Sequence, residues 1–428
     1  MSRTDDKRDT KFVASGKLLM TGLVLFCLSG PIQAQMHLDG YLQTAAEQNP
    51  GLKAKFSLYL AALERVEQEG TLPDPTLSFG YFVSPVETRV GPQRFRLALS
   101  QMFPWMGTLK VREQAAASMA KIRFYEFEEA RNKLFLEVRH KWLELYEIRK
   151  ELDIMKSNLD LLRSYEPVTK TKYEANLVSL ADLIRVQISI DHAEAQLKIL
   201  ALRWEPALGD FNVLLNRDPS RDVFLVESLM IESGGIYFAD SIQEHQPQIS
   251  RIDAGLATLE QESVLAALKR KPNIGFGLEY AMVGKRTDVM VSDNGKDILV
   301  PTVSLSLPVF RKKNRALERE LTLKKESYQA QRTQVENELN NDWLRAENEM
   351  ESALEELSLY ESEIEKTNVL VRILTSEYTN NHRDFEDLLS AQQRLLQLQL
   401  ALVKARVKYH HGLHKKDYLT GYTLNRIK

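Results

Sequence analysis

The sequence predicts a mainly α-helical fold with a small number of short β-strands, and three observations lead to this prediction. The phrases KYEANLVSLADLIRVQ and EYTNNHRDFEDLLSAQ align without a gap, with Tyr173 and Tyr378 205 residues apart. The stretches 108–174 and 314–380 contain one proline and no glycine between them. Four further segments alternate apolar and polar residues and are predicted to be strands: 76–83, 94–101, 273–280 and 302–307. We therefore expect a repeated arrangement of long helices and short strands.

The duplication extends beyond these two phrases. Pro50 and Pro75 are 25 residues apart, and so are Pro247 and Pro272. Each second proline is followed by an alternating segment that contains Phe-Gly at the same offset. We therefore expect a tandem repeat of about 200 residues and a pseudo-symmetric architecture.

The predicted boundaries follow this repeat. The segments that flank and join the two copies are a signal peptide at 1–34, an inter-repeat segment at 216–240 and a C-terminal tail at 421–428. Each copy contains a helix, a β-hairpin and a helical hairpin with a tip. The first copy spans 35–215, with the β-hairpin at 76–103 and the tip near 175–182. The second copy spans 241–420, with the β-hairpin at 273–308 and the tip near 380–387.

The N-terminus has the pattern of a secretory signal. A basic N-terminal region precedes a 13-residue apolar stretch at 18–30, and Ala34 is the expected last residue before the signal-peptide cleavage site. A helix of this length spans ~20 Å, which is too short for the ~30 Å hydrocarbon core, so a membrane anchor is the less favoured alternative. The only cysteine, Cys27, follows Phe26, whereas a lipoprotein signal needs a small residue there. The mature chain is expected to contain no disulfide and no thiolate metal site.

The composition narrows the classes of function. The formal net charge is −2, so no overall field favours binding to nucleic acid. The sequence has no nucleophile–base motif, no glycine-rich phosphate loop and no cysteine-based metal site. We expect neither enzyme activity nor a cofactor.

The first alternating segment shows the pattern shared by all four. Leu77, Phe79 and Tyr81 fall on one face, and Ser78 and Gly80 fall on the other. Segments of about 9–11 residues are long enough to cross a bilayer as tilted strands. Four strands cannot close a barrel, and open strand edges are prohibitive in lipid, so several chains would have to share one barrel. A soluble four-stranded sheet with one wet face is the alternative.

Some residues near the strands have two interpretations. Arg94 and Arg96 lie opposite the apolar face of the second segment, which puts them in a barrel lumen or in snorkelling or salt-bridged positions. Trp105, with Phe103, fits an aromatic girdle or a packed hinge between strands and helices. The equivalent point of the second repeat holds three basic residues, Arg311, Lys312 and Lys313.

The long stretches without glycine are predicted to form helices of ~100 Å at 1.5 Å per residue. Apolar residues recur at intervals of three and four from Leu134 through Trp142 to Leu162, which marks a coiled-coil seam. Such helices make a rod or a tube rather than a compact domain.

Each repeated phrase lies where a long helix must turn and return. Asn176 suits a left-handed backbone at a helix end, and Ser179 with Asp182 resembles a capping box. In the second copy, Asn380 and Asn381 end one helix and Asp384 can cap the next, with Asp387 at the third position. The phrases are therefore predicted to be the tips of two helical hairpins.

The phrase YHHGLH at 409–414 is a candidate metal-binding motif. His410, His411 and His414 have helical spacing, but only Asp417 is near enough in sequence to complete a ligand set. Histidines near a helix C-terminus more often interact with the helix dipole or with solvent. No metal site is predicted here.

These features together resemble the TolC family of outer-membrane efflux channels. The resemblance covers the whole mature chain and depends on PDPTLSFGYF, LSQMFPWMG, VSLSLPVF and the two tip phrases in this order. The pattern LPDP…FPW.G is closer to the heavy-metal-efflux branch, which is CusC- or CzcC-like. The tips depart from the family because Asn176 and Asn381 stand where glycine is common.

The resemblance implies a homotrimer with a 12-stranded barrel, four strands from each chain, in the outer membrane of a Gram-negative bacterium. The helical hairpins would form a periplasmic tunnel, and residues 204–241 an equatorial belt outside it. A periplasmic adaptor would link the tips to an inner-membrane RND transporter, which supplies the energy. The positions expected to dock the adaptor are Asn176, Leu177, Ser179, Asp182, Asn381 and Arg383.

The resemblance also implies an acidic ring at the closed periplasmic aperture. Asp387 is the matching position, Asp384 and Glu386 add charge, and Ser390 stands where the family has a second aspartate. Three copies of Asp387 would favour cations over anions. The expected function is a passive duct for metal ions or small toxic compounds. The alternatives are a type I secretion duct and a periplasmic coiled-coil scaffold.

Overall fold

The computed structural model describes residues 32–231, 246–380 and 385–421. Most of the predicted signal peptide, part of the inter-repeat segment and nearly all of the tail lie outside these ranges, as do Asn381, Arg383 and Asp384. The described elements are α1 (Ile32–Gln48), α2 (Pro50–Gly70), β1 (Thr76–Thr88), β2 (Gly91–Phe103), α3 (Thr108–Glu174), α4 (Leu180–Ala201), α5 (Trp204–Leu214), α6 (Pro247–Leu268), β3 (Asn273–Val283), β4 (Ile298–Ser306), α7 (Arg311–Thr379) and α8 (Phe385–Thr420).

The prediction of a mainly helical chain with a small antiparallel sheet is confirmed. The two long helices, α3 with 67 residues and α7 with 69, each extend for ~100 Å. Helices α2, α4, α6 and α8 pack along α3, and α6 and α8 also pack along α7. In the described part of the chain, no helix is both long enough and apolar enough to cross a membrane. The duplication itself stays a prediction.

The sheet is antiparallel in the order β1-β2-β3-β4. Pairs such as Phe79 with Leu97, Leu97 with Tyr280 and Phe276 with Val303 place most of the large apolar residues of all four strands on one face. This face is uncovered in the single chain, where Phe79 is 69% exposed and Val303 is 72% exposed. The other face carries mainly small and polar residues, among them Ser78, Arg96, Ser100, Gly277, Glu279, Thr302 and Ser304.

The strands of the first hairpin are longer than the alternating segments 76–83 and 94–101 from which they were predicted. Strands β1 and β2 have 13 residues each, because β1 continues through Pro85 after an irregular pairing between Tyr81 and Val86. Proline is tolerated there because β1 is an edge strand. The turn therefore lies beyond SPVET, and it ends at Gly91, whose φ of 132° and close approach to the Gly284 carbonyl exclude a side chain.

A hydrophobic core lies where α1, α5 and residues 223–229 pack on the middle of α3. Val138, Trp142 and Leu145 of the predicted seam are buried there, whereas coiled-coil packing along the seam stays a prediction. The indole of Trp142 donates a hydrogen bond to the Phe224 carbonyl at 3.1 Å, and the Leu229 amide donates to the Tyr146 hydroxyl at 3.3 Å. These bonds attach the segment that follows α5 to the outside of α3.

Candidate functional site at the helical tips

The turn between α3 and α4 is built by local hydrogen bonds. Asn176 has a φ of 59°, the left-handed conformation predicted for it. The Leu177 amide donates to the Lys172 carbonyl at 2.9 Å, and the Asn176 amide donates to the Tyr173 carbonyl at 2.9 Å. These bonds satisfy carbonyls at the end of α3, so asparagine replaces glycine here without loss of the turn.

A complete capping box begins α4, as the sequence predicts. The Asp182 amide donates to the Ser179 hydroxyl at 3.2 Å, and the Ser179 amide donates to the Asp182 carboxylate at 3.1 Å. The carboxylate of Asp182 also lies near the positive end of the helix dipole, which stabilises it. The turn bonds and the capping box define the conformation of the first tip, and Leu177 projects from it with 54% of its surface exposed.

An ion pair joins the two hairpins at their tips. The guanidinium of Arg185 in α4 lies 3.1 Å from the carboxylate of Glu386 in α8 and 3.2 Å from Asp182. Glu386 is thus paired to the other hairpin while its side chain stays largely exposed. Asp387 is exposed beside it. The third predicted aperture residue, Asp384, lies outside the described residues.

Two buried side-chain contacts join the hairpins behind the tip. The hydroxyls of Thr169 in α3 and Tyr378 in α7 are 3.0 Å apart, and both residues are almost fully buried. The amide of Gln392 in α8 donates to the hydroxyl of Tyr165 in α3 at 3.0 Å. Sequence reasoning missed these contacts, although polar side chains at buried positions of the helical repeat are a signal for them.

Tyr378 is the centre of this junction. Its ring packs against Phe385 at 5.3 Å between centroids, and Phe385 also contacts Tyr165 at 5.9 Å. The ammonium of Lys172 lies 4.5 Å from the Tyr378 ring and donates to the Tyr378 carbonyl at 2.5 Å. Burial raises the pKa of the Tyr378 phenol, so the hydroxyl stays protonated.

The two arginines predicted for the polar face of the sheet behave differently. Arg96 forms an ion pair with Glu279 of β3 at 2.5 Å, on the face of small and polar residues. Arg94 lies at an irregularity in the pairing of β2 with β3, so simple alternation does not assign its face. Phe103 contacts Phe276 of β3 at 5.8 Å, whereas Trp105 is half-buried after the strand.

The histidines of YHHGLH are packed rather than solvated, and His140 of α3 joins them. The rings of His140 and His411 are 4.3 Å apart. Burial lowers the pKa values of His140 and His410 to about 4, with nearby positive groups adding to the effect, and lowers that of His411. Burial also keeps the pKa of His414 well below its usual value. Among the described residues, no group of three or more ligands that could hold a metal is present.

Comparison with known proteins defines the fold. No protein-family model and no curated protein matches the sequence. Solved structures do match: the CmeC outer-membrane channel of Campylobacter jejuni has a TM-score of 0.75 and 14% identity, covering 90% of this chain and 85% of that chain. The Vibrio cholerae outer-membrane protein VceC has a TM-score of 0.74 and 16% identity, covering 91% and 97%. The open-state MtrE channel of Neisseria gonorrhoeae has a TM-score of 0.73 and 15% identity, covering 90% and 89%. The chain therefore has the fold of these outer-membrane channels.

Proposed function

We propose that this chain is a TolC-family protein that serves as the outer-membrane channel of a tripartite efflux system. The observation that carries the proposal is the four-stranded sheet, which has one exposed apolar face, one polar face and two unpaired edges. The similarity of nearly the whole chain to outer-membrane channels supports it. The protein acts as a passive duct and performs no catalysis.

The sheet requires other chains if it lies in a membrane. Each backbone group at the edges of β1 and β4 would cost several kcal/mol in hydrocarbon without a partner. Pairing β4 of one chain with β1 of the next removes both edges, and three chains supply the strands of a 12-stranded barrel. The apolar face of Phe79 and Val303 then contacts lipid, while the pair of Arg96 and Glu279 lies on the lumen side.

The helical tips would carry the gate and the adaptor-docking surface. Arg185 with Glu386, and Thr169 with Tyr378, hold the two hairpins of one chain together. Three copies of Asp387, with Asp384 and Glu386 nearby, would form an acidic aperture that favours cations. Apolar side chains are exposed along the first tip, which suits a protein partner, and they are Leu177, Leu180, Ile184 and Ile188.

The partners in this proposal are two more copies of the chain, a periplasmic adaptor and an inner-membrane RND transporter. The cargo is metal ions or small toxic compounds, and the motif similarity to the heavy-metal-efflux branch favours metal ions. A type I secretion duct shares the same fold and differs in its partners, whereas a periplasmic scaffold would not conduct.

Two measurements test the proposal. The purified protein is added to planar lipid bilayers, where discrete conductance steps are expected and a scaffold would give none. In cells treated with a crosslinker, the chain is then captured and its partners are identified by mass spectrometry. Recovery of an RND transporter and an adaptor supports the proposal, whereas recovery of an ABC exporter would favour the secretion duct.

A further inference from the structure

The second β-hairpin has an unusual concentration of positive charge at its helical end. Asn273, the first residue of β3, pairs with Ser306, the last of β4, so the chain segments that precede β3 and follow β4 leave the sheet side by side. These segments carry six exposed basic residues, which we call the basic rim: Lys269, Arg270, Lys271, Arg311, Lys312 and Lys313.

The basic rim is not neutralised within the chain. Arg270 forms an ion pair with Glu318 of α7. In the part of the chain that the structure describes, no ion pair joins an acidic residue to any of the other five. The rim therefore presents about five unbalanced positive charges to its surroundings.

Exposed apolar side chains lie directly beside the charges. Leu307 is 62% exposed, Val309 67% and Phe310 76%, and Arg311 follows them at once. Apolar and aromatic groups next to lysine and arginine form the pattern of a surface that lies at the boundary between acyl chains and headgroups.

The positive charge is specific to one end of one hairpin. The corresponding segments of the first hairpin, 71–75 and 104–110, contain only Asp74 and Lys110 as charged residues. The turn ends of the two hairpins are balanced, with Arg89, Lys285, Arg286 and Lys296 against Glu87, Asp288, Asp293 and Asp297. General surface solubility therefore does not explain the rim.

Interaction with the helix dipoles accounts for only some of the positive charges in the basic rim. Lys269 and its neighbours follow the C-terminus of α6, where cations are favourable. Arg311, Lys312 and Lys313 occupy the first turn of α7, which contains no acidic residue and where the helix dipole opposes cations. An external anion would offset this cost.

We propose that the basic rim binds the phosphate headgroups of anionic phospholipids in the periplasmic leaflet, with Val309 and Phe310 inserted at the acyl boundary. This proposal rests on the membrane placement proposed above for the sheet. Each basic side chain near an anionic bilayer surface strengthens binding roughly fivefold, so the loss of three charges should weaken lipid retention by about a hundredfold at low salt.

The test uses the full chain purified in detergent with phosphatidylglycerol and phosphatidylcholine. Lipid that remains after washing is quantified by mass spectrometry. The test variant carries Arg311→Gln, Lys312→Gln and Lys313→Gln. The control removes three positive charges near the start of α3 by Lys110→Gln, Arg112→Gln and Lys121→Gln. Circular dichroism checks that both variants keep their helical content.

Selective retention of phosphatidylglycerol by the wild type and the control, with strong loss in the test variant, supports the proposal. Equal retention of both lipids, or unchanged selectivity in the test variant, overturns it. Inorganic phosphate is added as a competitor: a site for free phosphate would release the lipid at millimolar phosphate, and this outcome would also overturn the proposal.

Conductance in pure phosphatidylcholine bilayers separates the two proposals. If channels form there but phosphatidylglycerol is not retained selectively, the lipid-binding proposal is wrong and the channel proposal is supported. If no channels form in any lipid, the channel proposal is wrong, and lipid retention in detergent still tests the lipid-binding proposal.

Discussion

The Tyr378→Phe variant tests whether contacts between the hairpins keep the tip closed. The substitution removes the hydroxyl that lies 3.0 Å from Thr169 and leaves the ring, which packs against Phe385 and lies under Lys172. Because Thr169 is fully buried, its hydroxyl would lose a partner that water cannot replace. The perturbation is therefore confined to one contact.

The magnitude follows from this burial. The lost hydrogen bond is worth about 1 kcal/mol, and the unsatisfied group raises the cost to about 1–2 kcal/mol. If the contact exists only in the closed tip, the open state gains by this amount, which corresponds to a roughly 5- to 30-fold shift in the opening equilibrium.

The assay is the open probability of single channels in planar bilayers. Tyr173→Phe serves as the control because Tyr173 occupies the matching phrase of the first half and is exposed. We expect a higher open probability for Tyr378→Phe and no change for the control. An open probability equal to that of the wild type would refute the assignment of this contact to the closed state.

Three further predictions follow from the tip and the histidine cluster. Arg185→Gln breaks the exposed ion pair with Glu386 and should change the opening equilibrium less than Tyr378→Phe does. The reason is that exposed ion pairs contribute only about 0–1 kcal/mol to stability. A larger change in open probability than that of Tyr378→Phe would contradict this prediction. Asp387→Ala should lower cation selectivity, measured as the reversal potential in a salt gradient, and an unchanged potential would argue against an acidic aperture. Stability should fall as the pH drops from 6.5 toward 4, because the unfolded chain binds protons that His140 and His410, with folded pKa values of about 4, cannot bind. Melting temperatures measured between pH 4 and 6.5 test this prediction, and His140→Gln should weaken the dependence of the melting temperature on pH.

Local features of the fold are predictable from the sequence because neighbouring residues encode them. Alternation with a period of two identifies β1 to β4 and their two faces. Asn176 and the pair of Ser179 and Asp182 specify the first tip from within a few residues. The extension of β1 through Pro85 was missed because Ser-Pro suggests a turn, and only its edge position permits a strand there.

The contacts that join the two halves could not be predicted in the same way. Thr169 and Tyr378 are separated by 209 residues, and their meeting depends on the rotation of two long helices about their axes. A small error in helical phase, accumulated over nearly seventy residues, would place either side chain on another face. The approach of His140 to His411 has the same origin.

Disulfide crosslinking between β1 of one chain and β4 of another tests whether several chains share one barrel. Cysteines are introduced in pairs, one at Ser78 or Gly80 and one at Val300, Thr302 or Ser304. Within one chain these edges are three strand spacings apart, about 14 Å, which is too far for a disulfide. Oxidised outer membranes are then analysed on non-reducing gels. We expect at least one pair to give a ladder that ends at three chains, and we expect none from the single-cysteine variants. A full set of pairs that yields only monomers, or a ladder that continues past three, would contradict this expectation.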